Sequence, residues 1–135
     1  MNSEKRENAM YDNLTAFIPK LRTSSFGSWT EDHAVTYDDV VYDLEQELHS
    51  FLTEHPELKP FDYREVLSTA KIKTDKHSIR SLDVSSLDGN VILGLIIHTF
   101  HRERMFAGTL LECFQEGYME KWLMRLQKID KQQGE

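Results

Sequence analysis

A nearly unbroken apolar run from Val91 to Phe100 constrains this chain more than any other stretch. Seven of its ten residues are large aliphatic or aromatic side chains. The run is too short to cross a bilayer, which needs about 20 apolar residues, and too apolar to lie on a protein surface. It therefore predicts a buried element at the centre of the fold. The charged sequence from His101 to Arg104 should mark where that element reaches the surface.

This run has two interpretations, a helix and a buried strand. Asp88 and the serines before it form a helix-start signal, and ten residues without a break favour a helix over 86–103. Asp88-Gly89 followed by β-branched residues is instead typical of a turn that leads into a strand. We favour the helix. Gly94 in its middle lowers helix propensity by about 1 kcal/mol, which predicts the close approach of another helix.

Apolar side chains recur with helical spacing elsewhere in the chain, so we expect a mainly all-α, single-domain bundle of five or six helices around the central one. The further helices are predicted at 9–22, 37–54, 62–69, 107–116 and 118–131. Pro19 complicates the first of them, because a proline inside a helix removes a hydrogen bond and kinks the chain. Gly117 suits the turn that should end the helix over 107–116.

Two segments lack a helical period. Residues 24–36 surround Phe26 and Trp29 with small polar residues, which predicts a loop anchored by its aromatic side chains, or a short hairpin. Residues 71–84 predict an extended piece whose apolar side chains dip into the core.

The chain of 135 residues is long enough for one domain with its own core, which we place at 9–131. Residues 1–8 and 132–135 are polar, so we expect a disordered start and a frayed tail. Cys113 is the only cysteine and no apolar leader is visible, which predicts a cytoplasmic protein without a disulfide.

Charge limits the partners that we expect. The net charge of -7 argues against binding to generic nucleic acid, and the composition does not point to a membrane protein. Nine acidic residues fall in a stretch without lysine or arginine: Glu31, Asp32, Asp38, Asp39, Asp43, Glu45, Glu47, Glu54 and Glu57. A small basic segment over 71–80 follows. These two surfaces are either simply solvated or used to contact a protein partner or a second copy of the chain.

Metal or cofactor chemistry has little support in the sequence. His98 and His101 could both face a metal from one helix, with Glu103 or Glu112 as a further ligand. A histidine pair without a clear third ligand is more often an ordinary helix end, and we predict no metal and no cofactor. Cys113 has the position of a small core residue. The chain carries no serine-histidine-aspartate, phosphate-loop or dinucleotide-binding signature, so whether it is an enzyme stays open, and we lean to a protein without catalysis.

A set of residues in the second half of the chain forms a recognisable pattern. It comprises Val91-Ile92-Leu93, Glu103-Arg104, Gly108, Glu116-Gly117 and Arg125-Leu126, with Trp29, Tyr37 and Asp62-Tyr63 earlier in the chain. The pattern resembles a family of small bacterial proteins catalogued only as a domain of unknown function, DUF6508. His101 and Met105 depart from it, because that family usually has arginine and phenylalanine there. The resemblance implies a mostly helical fold and no known activity.

Glu103 and Arg104 are the candidate functional pair. Adjacent helix residues diverge, so a structural interpretation has Glu103 accept from the start of the next helix while Arg104 ties the central helix to another element. A functional interpretation places the pair at a pocket mouth, where Arg104 holds an anion and Tyr63 or Trp29 stacks beside it. His101 completes the set of candidate contact residues.

Two function classes follow from these observations. The first is a non-catalytic protein-interaction module that uses its acidic helix face or its basic segment. The alternative is a small-ligand binder or enzyme with a pocket built on Glu103 and Arg104. A cleft beside Arg104 would favour the alternative, whereas a filled surface would favour the interaction module.

Overall fold

A computed structural model describes residues 10–58 and 62–133 of the chain, and helices dominate these residues, as predicted. The predicted disordered start at 1–8 lies outside the described residues. The elements in chain order are the helices α1 (Asp12–Thr15) and α2 (Ile18–Leu21), the strands β1 (Gly27–Trp29) and β2 (Val35–Tyr37), and the helices α3 (Asp39–Glu54), α4 (Tyr63–Thr69), α5 (Lys76–Ser81), α6 (Gly89–Glu103), α7 (Thr109–Gln115) and α8 (Tyr118–Gln133), with a 3-10 turn at Pro56–Leu58.

The apolar run forms α6, which confirms the prediction of a central helix and rules out the strand. The carboxylate of Asp88 caps the helix by accepting from the amide of Val91 at 3.0 Å. Leu95 is fully buried, and α6 packs against α4, α7 and α8. A side chain at Gly94 would meet Leu67 of α4 at 3.3 Å, so the close helix approach that this glycine predicted is confirmed.

The predicted helix over 9–22 is divided into α1 and α2. Pro19 lies in the first turn of α2. Because proline has no amide hydrogen to donate to the preceding turn, the helix ends and restarts just before it. The apolar stripe survives this break, since Leu14, Ile18 and Leu21 are all buried.

The loop predicted at 24–36 contains the short hairpin that was its alternative. β1 and β2 pair antiparallel, with Gly27 opposite Tyr37 and Trp29 opposite Val35. Since Tyr37 belongs to β2, the next helix begins at Asp39 rather than at 37 as predicted.

The extended conformation predicted for 71–84 is wrong for its central part, which forms α5. Asp75 starts this helix by accepting from the amide of Ser78 at 3.0 Å and from its hydroxyl at 2.7 Å. Such a short helix has too few turns to show an apolar period, so the capping aspartate was its only sequence signal.

The acidic stretch lies largely on α3. One side of this helix packs into the core through Val41, Leu44 and Phe51, and the opposite side exposes Asp39 and Asp43. Among the described residues, no helix is both long and apolar enough to cross a membrane. At the end of the chain, α8 continues to position 133, so the first part of the predicted frayed tail is helical.

Candidate ligand-binding cleft

Glu103, the last residue of α6, closes the start of α7. Its carboxylate accepts from the amide of Gly108 at 3.1 Å and 3.2 Å, and from the amide of Leu110 at 2.9 Å. These amides have no partner within their own helix, so the carboxylate satisfies donors that would otherwise be left open. The predicted structural role of Glu103 is confirmed.

Tyr37 and Trp29 complete this cap. The hydroxyl of Tyr37 accepts from the amide of Leu111 at 3.1 Å. Burial, followed by the interaction with Glu103, raises the pKa of Tyr37, which therefore stays protonated. Gly108 has a φ of +96°, and a side chain there would meet the ring of Trp29 at 2.4 Å. Four residues of the recognisable pattern thus form one structural cluster.

Arg104 does not have the bridging role that the sequence predicted. Its side chain is exposed and makes no hydrogen bond or ion pair within residues 10–58 and 62–133. Successive helix residues are turned by about 100°, so a Glu103 that faces α7 leaves its neighbour facing solvent. Arg125 of α8 does bridge to the segment before α6, because its Nε donates to the carbonyl of Leu87 at 2.8 Å.

Tyr63 and His101 meet on another side of α6. Tyr63 is buried on α4, and its ring centre lies 5.2 Å from that of His101 and 6.2 Å from that of His98. The guanidinium of Arg64 covers the Tyr63 ring at 5.7 Å. The predicted site residues therefore separate into two groups, with Trp29 and Glu103 at the α7 cap and Tyr63 and His101 against α4.

A cleft lies between α6 and the helices α5, α7 and α8. Its volume is about 200 Å³. Residues from all four helices and from the connections beside them line it: Thr74, Lys76, Ile79, His98, Thr99, Arg102, Phe106, Thr109, Glu112, Cys113, Tyr118 and Trp122. Trp122, Cys113 and Thr99 are buried and form the floor, whereas Arg102 and Phe106 are exposed at the rim.

The charges around the cleft are unevenly paired. The Nζ of Lys76 lies 3.1 Å from the carboxylate of Glu112, so these two charges compensate each other across the cleft. The guanidinium of Arg102 stacks on the ring of Phe106 at 4.6 Å. No carboxylate from the described part of the chain pairs with Arg102.

His98 lines the cleft, but one of its ring nitrogens is not accessible from it. Its Nε2 is buried and makes no hydrogen bond to the described residues. Burial, then the nearby charges of Arg102 and Arg64, lower the pKa of His98 below its usual value, so the imidazole is neutral at neutral pH. One ring nitrogen of a neutral imidazole donates and the other accepts.

This arrangement suits binding better than covalent catalysis. The thiol of Cys113 is buried, and burial raises its pKa, so it stays protonated and poorly nucleophilic. The hydroxyl of Thr99 already donates to the carbonyl of Leu95 at 2.9 Å. Within the structurally described ranges, no group of three or more histidine, cysteine or carboxylate side chains is placed to hold a metal ion.

Sequence reasoning missed Arg102, Phe106 and Trp122 as site residues. His98, Arg102 and Phe106 are spaced four apart, which places them near one another along one side of α6 and its end. That spacing was an available signal. The predicted pair, Glu103 and Arg104, does not line this cleft.

The fold and the site define a mainly helical protein with a cleft large enough for a small ligand. The chain belongs to DUF6508, a family of unknown function, and the family model matches residues 6–132. The family predicted from the sequence is thereby confirmed. No curated protein and no solved structure matches the chain.

Proposed function

We propose that the protein is a non-catalytic binder of a small molecule, which occupies the cleft between α5, α6, α7 and α8. The observation that carries this proposal is the lining of the cleft, in which the buried ring of Trp122 forms an apolar floor and Arg102 stands at the rim without a carboxylate partner in the described residues. An apolar group placed against this floor leaves water, and an anionic group beside Arg102 gains a charge-assisted hydrogen bond.

The size and lining of the cleft support the same function. Small-molecule sites combine an apolar lining with a few polar groups that fix the orientation of the ligand. Here the apolar part comes from Trp122, Ile79 and Phe106, and the polar part from His98 and Arg102. An apolar cavity of about 150 Å³ takes up benzene. The cleft, at about 200 Å³, therefore has room for one ring and a small substituent.

This proposal develops the alternative function that the sequence left open, with a different set of residues. The expected pocket beside Glu103 and Arg104 is replaced by one beside His98 and Arg102, about one helical turn away or less along α6. Glu103 supports the site indirectly, because it fixes the start of α7, and α7 contributes Glu112 to the cleft.

A fragment screen on the full chain tests the proposal. Small aromatic and branched aliphatic compounds are added, and nitrogen-proton correlation spectra report the indole of Trp122 and the amide of Thr99. We expect compounds that bind to shift these two signals together. A Thr74→Trp variant should block the effect by filling the cleft mouth, while Ser86→Trp, in an exposed position away from the cleft lining, should not. If in both variants the compounds shift signals that cluster away from Trp122 and Thr99, the proposal is refuted.

A protein-interaction role is the second candidate function, and exposed apolar side chains favour it. Met105 is 78% exposed in the turn between α6 and α7. Trp29, on the neighbouring hairpin, is 54% exposed, and Tyr42, on α3, is 51% exposed. Large apolar residues exposed close together often mark an interface. Arg104 at this turn and the acidic α3 offer opposite charges, as two copies of the chain would need in a reciprocal contact.

Sedimentation velocity over a range of concentrations tests this second function. We expect the parent chain to self-associate and Met105→Asp to remain a monomer. Met124→Asp, an exposed methionine on α8, is the matched control and should associate like the parent. A parent chain that stays monomeric at millimolar concentration would refute self-association through this surface.

A further inference from the structure

The geometry of the cleft also points to the chemical class of its ligand, an inference that rests on the proposed binding function. We infer that the ligand is a small organic monoanion, a carboxylate on an aromatic or branched aliphatic body. The carboxylate binds to Arg102, and the body lies against Trp122.

The charge of the cleft calls for a single negative charge on the ligand. Lys76 and Glu112 neutralise each other at 3.1 Å, whereas Arg102 has no carboxylate partner within residues 10–58 and 62–133. One positive charge therefore remains uncompensated among the charged groups of the lining. A second negative charge on the ligand would lie in the same small cleft as the carboxylate of Glu112, and this disfavours phosphate monoesters and dicarboxylates.

The contact between Arg102 and Phe106 prepares the guanidinium for a carboxylate. The guanidinium lies over the aromatic ring at 4.6 Å, and stacking uses its face while leaving its N–H groups at the edge. A carboxylate accepts two parallel hydrogen bonds from such an edge. The aromatic ring thus limits the freedom of the side chain and lowers the entropy that binding has to remove.

His98 lines the cleft without adding a second charge to it. It is faced by positive or ionisable groups of Arg64 on α4 and of His101 and Arg102 on α6, while Lys76, Glu112 and Tyr118 line the cleft from the other helices. Burial, and then these basic neighbours, lower the pKa of His98 and keep the imidazole neutral. The uncompensated positive charge of the lining is therefore that of Arg102.

The floor of the cleft selects the body of the ligand. Trp122 is 2% exposed and Cys113 5%, so the part of the ligand that reaches them leaves water almost completely. An apolar group gains from that transfer, and a polar group would lose its hydrogen bonds to water. The volume of about 200 Å³ suits a body close to one ring in size and is too small for a long acyl chain.

Phenylacetate and 2-phenylethanol form the matched pair of probes, because they share the ring and differ in the charged group. Each is titrated into the full chain at neutral pH, and the Trp122 indole signal gives the dissociation constant. A bond between a charged donor and acceptor contributes about 1.5–3 kcal/mol. We therefore expect phenylacetate to bind about tenfold or more tightly than the alcohol.

Variants assign the difference to Arg102. Arg102→Gln should weaken phenylacetate about tenfold and leave 2-phenylethanol unchanged, and Arg102→Lys should recover part of the loss. Arg104→Gln is the matched control, since that arginine is equally charged and exposed but does not line the cleft. It should bind both probes like the parent.

The outcomes separate this inference from the proposed function. Equal binding of the two probes, or an Arg102→Gln variant that keeps the preference for phenylacetate, would overturn the inference and leave a neutral ligand for the same cleft. If the dianion phenylphosphonate binds more tightly than phenylacetate, the inference that the ligand carries a single negative charge is overturned. If neither probe shifts the Trp122 signal and the fragment screen also gives none, both the inference and the proposed function fail.

Discussion

Glu103 and Arg104 are neighbours in the chain, but they have opposite environments because α6 turns by about 100° between them. Glu103 accepts three hydrogen bonds from amides at the start of α7, and Arg104 is solvated. The sequence predicted the first role from the position of a carboxylate before a helix start. It could not predict the second, because whether an arginine at a helix end finds a carboxylate depends on elements far away in the chain.

Substitution of these two residues should therefore have unequal effects. Glu103→Ala removes the charged cap of α7, and we expect the free energy of unfolding to fall by about 1.5–3 kcal/mol. Arg104→Ala should change it by less than about 0.5 kcal/mol, as exposed positions usually do. Urea unfolding measures both. Equal losses would show that Arg104 has a partner, in conflict with its exposed position.

Gly108→Ala tests the contact between the hairpin and α7. The new side chain would lie 2.4 Å from the Trp29 ring, so the ring must move away. We expect iodide to quench the fluorescence of Trp29 more strongly in this variant, while Trp122 stays protected by burial. Gly117→Ala is the control, because its φ of +85° is similar and no atom lies near the added carbon. Identical quenching in both variants would contradict the contact.

Among the elements, the long apolar helix α6 and the seven-residue helices α4 and α7 were predicted, whereas α5 and the division of the first helix were not. The run from Val91 to Phe100 and the cap at Asp88 both favoured a helix, and α6 has that form. In contrast, α5 has only six residues and no apolar stripe, so only Asp75 marked it. Pro19 predicted a break, but the two short helices, one that ends before it and one that contains it, depend on tertiary packing.

Leu95→Asp tests the central position of α6. Leu95 is fully buried, and an unpaired carboxylate there would be far from water. We expect the variant to lose its cooperative thermal transition, because the cost of burying the charge is comparable to the whole stability of a small domain. Met124→Asp on the exposed side of α8 should melt like the parent. A soluble Leu95→Asp protein with the melting curve of the parent would refute the central position.

At the scale of the whole molecule, the cleft escaped prediction because it combines residues that are distant in the chain. Lys76, Arg102, Glu112 and Trp122 come from four different helices. A single sequence does not show which helix faces meet, so only the members contributed by α6 had a recognisable spacing. The same limit applies to Asp130 near the end of the chain, whose contact with Tyr11 joins residues 119 positions apart.

Asp130 should give the stability a measurable pH dependence. It is buried, one oxygen accepts from the amide of Tyr11 at 3.0 Å, and the other has no partner in the described residues. Burial raises the pKa of Asp130 above its usual 3.8 in the folded state. The folded protein therefore holds this proton more tightly than the unfolded chain. Below pH 3.8 Asp130 is largely protonated in both the folded and the unfolded state, so it does not lower the stability. As the pH rises the unfolded chain ionises first, and the loss of stability is complete once the pH exceeds the raised pKa of the folded state.

Asp130→Asn isolates this effect, because the amide oxygen still accepts from Tyr11 and carries no charge. We expect the variant to be more stable than the parent at pH 7, and the gap to shrink as the pH falls through the folded pKa. Urea unfolding of both proteins at several pH values between 3.5 and 7 measures the gap. A gap that is constant, or that widens toward low pH, would contradict the raised pKa.

A crystal structure of the full chain grown with phenylacetate tests whether the cleft beside Arg102 binds an organic anion. We expect the ring against Trp122 and the carboxylate within hydrogen-bond distance of the Arg102 guanidinium. A cleft closed by the protein's own side chains, or phenylacetate bound only elsewhere on the surface, would contradict it.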